Sequence, residues 1–452
     1  MNTRLEVFFG AVAMLVMCGV GGGPALPDRD AIVRTAGATT VRQGSVARAY
    51  DDGHFAFLVV HRGADSVRLA VSKEWGGTIV ELSMNGTNFV NGFDPGREIQ
   101  PSFYDGNAHY DQCSGCTSAF GWNPVMAGDR HGTGSRAEAM THEGTVLYAR
   151  TWALMWRPEA FGGGPGKPVT SDVRIEQWVS SLEGHWNAFR IHYRVVHAGQ
   201  DLHANALQEF PAVFVNRENR LLIYYGGSEP WGNGPLTRVD LATTKKHHAV
   251  IPLSERWISI VNQSDVGIGV SSRGQFPFGI VSTLDGTSGP LGRGATYFAP
   301  LVPRTFFPSD TLDDDVYVAL GTPEEIRNVF SDIHRRELDP DVFPPLGHVD
   351  LPRDSQTVEG VFGVAGWGLD DSGVSSADAM VDGQTPAATH LQYGVPRPDV
   401  GAQYPGVPVN VGFAGQVHVG GLAPGWHDLE VRLVDTAGHV AVLRRVPFRV
   451  TR

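Results

Sequence analysis

Glu209 stands in the run Gln208-Glu209-Phe210-Pro211-Ala212-Val213-Phe214, an acid set against apolar neighbours. Burial in such a place raises a carboxyl pKa and suits the group to general acid or base work. The plainer reading is a salt-bridge partner for one of the arginines. The densest polar stretch is 94–135. It carries Arg97 and Gln100, Tyr104-Asp105-Gly106, His109-Tyr110-Asp111, Phe120-Gly121-Trp122-Asn123-Pro124 and Gly128-Asp129. A sugar has apolar faces and a rim of hydroxyls. Trp and Tyr stack on the faces, while Asp, Asn, Gln and Arg bind the rim. Arg97, Gln100, Tyr104, Asp105, Trp122 and Asn123 are therefore candidate binders of carbohydrate, and Glu209, His192, His109 and Asp129 candidate catalytic groups. Glycoside hydrolysis needs two carboxylates about 5 to 10 Å apart, which Glu209 with Asp105, Asp111 or Asp129 supplies if the loops converge. Elimination needs a base and a group that neutralises a uronate; Arg97, Gln100, Tyr104, His109 and Asn123 suit that. The same residues also serve a binder without catalysis. Glu229-Pro230-Trp231 is a lesser acid-plus-aromatic candidate.

The chain has 17 histidines, and His185, His192, His197 and His203 follow one another through a strand-rich stretch. Alternation puts His192 on one face with Arg190 and Arg194, in a polar cleft or as a satisfied structural histidine. No H-E-x-x-H or H-x-x-x-H pair demands a metal, and no metal or cofactor is expected. There is no G-x-S-x-G elbow and no phosphate-binding G-x-x-x-x-G-K-[ST] loop. Asp313-Asp314-Asp315 reads as the solvated start of a strand rather than a calcium loop.

The 452 residues include 36 Lys+Arg and 48 Asp+Glu, a net charge of 36 − 48 = −12. That balance argues against a nucleic-acid partner, which needs a basic face. Hydrophobic and charged shares of 42% and 19% exclude a disordered chain and a coiled coil. The first residues are basic, Leu5–Val20 is apolar apart from Glu6, and small residues run to Ala25. This reads as a signal peptide over 1–25, hence a secreted or periplasmic protein with no integral membrane segment after its removal. Met17-Cys18 loosely resembles a lipoprotein box, the alternative route to the same compartment. Removal of Cys18 leaves Cys113 and Cys116, most simply a local disulfide in an exported chain. A redox motif, or zinc with His109 and Asp111, is the sharper alternative.

The positioning elements are strands. With 56 Gly and 29 Pro, short apolar or alternating runs separated by turns fill 55–320, and the spacing predicts an all-β fold with a large antiparallel sandwich. Residues 26–50 read as a polar lead-in. One helix is predicted from Thr322, a cap, through Pro323 and two glutamates to about Arg336. A Pro-rich break follows, and a small β-sandwich is expected over 356–452.

Gly76-Gly77-Thr78-Ile79-Val80-Glu81-Leu82, then Asn88-Phe89-Val90-Asn91, then Asp94 to Gln100 with Gly96-Arg97, resemble the opening of galactose-mutarotase-like β-supersandwich proteins. The resemblance extends over 50–337. Gly366-Trp367-Gly368-Leu369-Asp370 and Val381-Asp382-Gly383 resemble the immunoglobulin-like β-sandwich modules appended to secreted carbohydrate-active proteins. The superfamily resemblance implies action on carbohydrate by a hydrolase, lyase, mutarotase or epimerase. It implies substrate binding by Arg97, a Glu role for Glu209 and a His role for His192 or His109. Cleavage of glycosidic bonds is the leading expectation. Carbohydrate binding alone and aldose mutarotation are the alternatives.

Overall fold

A computed structural model of the chain describes residues 39–42, 45–94, 98–106, 121–244, 246, 248–272, 278–336, 344–370, 372–403 and 407–451. The signal segment 1–25, Cys18, Arg97, His109, Asp111, Cys113 and Cys116 lie outside them.

The protein is all-β, as expected. Two sheets carry it, one of 21 strands and one of eight. In the first sheet one layer pairs Val146–Met155, Thr170–Ser181, Ala188–His197, Thr311–Gly321 and Gly267–Ser272 in antiparallel succession. A facing layer pairs Ile99–Ser102, His203–Asn216, Ala295–Phe306 and Phe278–Leu284. Alternation decides what lies between them. Ile175, Ile191, Tyr193 and Val195 point in from one side, and Phe210, Val213, Val215, Phe298 and Val302 from the other, into one apolar cluster. Tyr193 and Phe210 meet across it with ring centroids 5.1 Å apart. Each such side chain withdrawn from water contributes roughly 1.5–3 kcal/mol before chain entropy is charged.

The Gly76-Gly77 pair has a steric cause. Gly77 has a positive φ of 92°, and a Cβ there would stand 2.5 Å from the Ala149 side chain. The predicted helix forms over Pro323–Arg335. Thr322 accepts from the Glu325 backbone N–H while the Glu325 side chain accepts from the Thr322 N–H, so a capping box fixes its start. Ile326, Val329, Phe330 and Ile333 seat it against Trp257 and Tyr317.

The lead-in and the linker differ from expectation. Thr39–Arg42 and Ser45–Asp51 form a hairpin at the sheet edge, with Ala47 and Ala49 buried. The stretch before 356 supplies Leu346–Leu351, which pairs with Val361–Leu369 in the second sheet. The proline break ends just before it, and Leu346 and Val349 are buried. The second sheet covers the back of the facing layer: Ala212, Phe214, Tyr297 and Leu301 pack with Leu346, Trp367, Leu369, Val400 and Val411. That cover removes water from one face of the strands that carry the candidate acid.

Candidate functional site

Tyr104 and Asp105 follow the strand Ile99–Ser102 and are fastened to the strand His203–Asn216. The Tyr104 N–H donates to Gln208 Oε1 at 2.7 Å, and Gln208 Nε2 donates back to the Tyr104 carbonyl at 3.1 Å. Asp105 Oδ1 accepts the Ala204 N–H at 2.9 Å. The chain then crosses so close that a Cβ at Gly106 would lie 2.3 Å from the Asn205 carbonyl oxygen. Two chemically distinct groups grow from this seam, one on each side of the layer.

On the side covered by the second sheet lies Glu209. Phe210 points into the inter-layer core, so alternation turns Glu209 the other way. Its side chain is buried, and burial pushes the carboxyl up to about 7 against the weaker pull of the Tyr297 and Tyr104 hydroxyls. Among the described residues, neither Oε1 nor the Tyr297 hydroxyl has a partner at ideal bonding geometry, although the Tyr297 and Tyr104 hydroxyls lie close enough to act on the carboxyl. Burial, with Glu209 beside them, holds both phenols well above 10. Ser102 donates to the Tyr104 hydroxyl at 3.1 Å, and Asn123 Nδ2 donates to Ser102 Oγ at 3.2 Å and to the Phe103 carbonyl at 2.7 Å. A near-neutral carboxyl beside a tyrosine of fixed orientation can give and take a proton close to pH 7.

On the other side Trp122 stacks on His203, centroids 3.8 Å apart and planes 16° from parallel. Its Nε1–H donates to Asp172 Oδ1 at 2.8 Å. The other oxygen, Oδ2, faces His197 Nε2 at 3.1 Å and His203 Nε2 at 4.0 Å. His203 Nδ1 meets Asp105 Oδ2 at 3.1 Å, and His197 Nδ1 meets the Phe307 carbonyl at 2.7 Å. Partial burial opposes charge on Asp172, yet the His197 ring, the His203 ring 4.0 Å away and the Trp122 N–H outweigh it and hold the carboxyl far below its usual range. Burial likewise opposes charge on His203, and the carboxylates of Asp105 and Asp172 win, so its pKa is raised. Among the described residues, Asp172, His197 and His203 are the group whose donor atoms converge closely enough to hold a metal, all within 4.8 Å of one another.

The sequence candidates therefore separate. Tyr104, Asp105, Trp122, Asn123 and Glu209 come together along one seam. Gln100 is buried beside it, accepting the Ala127 N–H at 3.0 Å. Asp129 holds its own loop, with Oδ1 accepting from the His131 and Thr133 N–H groups. His192 lies on the outer face between Asp315, 2.9 Å from Nδ1, and Asp313, 3.4 Å from Nε2. Arg190 and Arg194 bind the same two aspartates. Sequence reasoning passed over Asp172, Tyr297, and His197 and His203 as site residues. The apolar strands around each gave the only signal, and pairing register, not spacing, brings them in.

No protein-family model and no curated protein matches the chain. Solved structures with sandwich folds are similar in outline. A putative aldose 1-epimerase from Klebsiella pneumoniae has 10% identity over 66% of this chain and 88% of its own, with a TM-score of 0.34. A GH36 α-galactosidase from Geobacillus stearothermophilus has 9% identity over 66% and 44%, TM-score 0.35. A polysaccharide lyase has 10% identity over 87% and 47%, TM-score 0.31. The chain spans less than half the length of the last two.

Proposed function

We propose that the protein acts on carbohydrate and cleaves glycosidic bonds, by hydrolysis or by elimination, with Glu209 as the acid–base group. The observation that carries this reading is the Glu209 carboxyl: buried, pushed up to about 7, and set beside the Tyr104 and Tyr297 hydroxyls, with Oε1 lacking a well-formed bond among the described residues. A buried carboxyl that stays ionised is paired or fully bonded; this one, raised to about 7, is poised to exchange a proton instead. Tyr104 stays protonated and donates, oriented by Ser102, and the partly exposed rim of Tyr104 and Asp105 is where a substrate hydroxyl meets the network. Asp105 contributes by fixing the seam rather than by direct chemistry, since both its oxygens are engaged.

The test is a panel of neutral and uronate-containing polysaccharides, read by reducing ends and by absorbance near 235 nm. Reducing ends alone indicate hydrolysis, and reducing ends with new absorbance indicate elimination. No product on the whole panel removes the enzymatic reading.

A second reading, glycan binding without cleavage, rests on the outer face of the first layer. Tyr148, Trp178 and His192 form a row there, with ring centroids 5.1 and 5.4 Å apart. Arg174 lies 6.0 Å from the Trp152 ring beside it. Such a row matches the apolar face of a sugar chain. Binding that survives Glu209→Gln and is lost in Trp178→Ala supports it.

A further inference from the structure

We infer that Asp172, His197 and His203 form a binding site for one divalent transition metal ion, of the zinc type. His197 Nδ1 lies 2.7 Å from the Phe307 carbonyl oxygen, which can only accept, so this nitrogen carries hydrogen. His203 Nδ1 lies 3.1 Å from Asp105 Oδ2, a carboxylate oxygen, so it carries hydrogen as well. A neutral imidazole then has a bare lone pair on Nε2. Both Nε2 atoms face Asp172 Oδ2, at 3.1 and 4.0 Å. Three electron-pair donors pointed at one another repel unless positive charge sits among them.

That charge is either a proton on one or both rings, as in the 3.1 Å contact of His197 with Asp172, or one metal ion, and three observations favour the metal. The first is spacing. Tetrahedral zinc with bonds of about 2.0–2.1 Å sets its ligand atoms about 3.3 Å apart; the two separations from Asp172 Oδ2 bracket that value, and all three donor atoms lie within 4.8 Å of one another, a set that closes around an ion by small side-chain shifts. The second is the backing of each ligand. One histidine donates to a carboxylate, the other to a backbone carbonyl, and the aspartate accepts from Trp122, the pattern by which outer groups fix metal ligands. The third is burial. The His197 side chain is 0% exposed and that of His203 8%, with His203 Nε2 lacking any hydrogen-bond partner. Their ring centroids are 4.9 Å apart. Two nitrogens and one oxygen suit zinc, cobalt or nickel rather than calcium or magnesium. The Asp172 side chain is 30% exposed, which leaves the fourth position to water. The spacing 172, 197, 203 matches no linear motif, and the sequence led to no metal being expected.

The test uses the full chain, stripped with a chelator, desalted and titrated with Zn²⁺, with bound metal counted by mass spectrometry. The expected result is one zinc per chain and a rise in unfolding temperature. Replacing it with Co²⁺ should give visible absorption of low-symmetry nitrogen and oxygen ligation. Asp172→Ala and His203→Ala should lose the metal. Asp105→Asn, which keeps all three ligands, should weaken binding about 10–100-fold. His192→Ala and the double variant Cys113→Ser/Cys116→Ser should bind as the parent does. No stoichiometric uptake by the parent chain overturns the inference without any variant. So does uptake that persists in Asp172→Ala and is lost in the double cysteine variant, which places the metal elsewhere.

Discussion

His192 and His203 have the same immediate company, two aspartates each, and different fates. His192 sits on the outer face, 2.9 Å from Asp315 and 3.4 Å from Asp313, with Arg190 and Arg194 on the same carboxylates. Two arginines and the half-exposed Asp313 surround the ring, and these counter-charges screen the pairs, so the cluster adds little. His203 lies between Asp105 and Asp172 under the Trp122 ring, with 8% of its side chain exposed. The same residue types at similar distances act more strongly there because the ring is less hydrated, 8% exposed against 29% for His192. Glu209 teaches the same lesson in reverse: burial outweighs the tyrosine hydroxyls beside it and makes the neutral form the stable one near neutral pH. Residue type and spacing propose chemistry; burial and convergence decide it.

The largest effect that tests this contrast is a pH dependence of stability. The Glu209 carboxyl is raised in the folded protein from an ordinary 4.5 to about 7. A raised acid favours folding fully below 4.5, and this contribution is lost as pH rises through 7. The difference amounts to about 3 kcal/mol. Urea midpoints between pH 5 and pH 8 should fall in the parent and stay flatter in Glu209→Gln. Equal slopes would mean that the carboxyl is solvated. Next, Asp172→Ala should cost about 2 kcal/mol, because the Trp122 N–H and two imidazoles lose their common partner. Trp122→Phe keeps the stack on His203 and removes only the 2.8 Å hydrogen bond, so about 1 kcal/mol is expected by denaturant titration. His192→Ala should change stability by less than about 0.5 kcal/mol. A large loss there would break the contrast between inside and outside.

Much of the architecture was legible because its signals are local. The alternation of Phe189 to Val196 and the cap at Thr322 each act within a few residues, and both structures form. Burial of Glu209 was legible from its apolar neighbours. Tyr297, its near companion, was not, because it arrives by the pairing of His203–Asn216 with Ala295–Phe306. Asp172 reaches His197 only because Val173 lies opposite His197 in the ladder. Such register depends on the whole sheet, and a slip of one residue would turn the aspartate to the other face. Leu346–Leu351 was hidden by the prolines just before it, which read as a linker although the strand they precede buries Leu346 and Val349.

The account's central claim is that the Glu209 proton is used in turnover rather than in holding the fold. Its most direct test is the rate of product release from a cleaved polysaccharide, parent against Glu209→Gln, with the thermal unfolding midpoint of both measured in the same buffer. The account predicts a rate lower by about 10²–10⁴-fold with an unfolding midpoint equal or higher. A variant that turns over at the parental rate, or one that is inactive because it no longer folds, would contradict it.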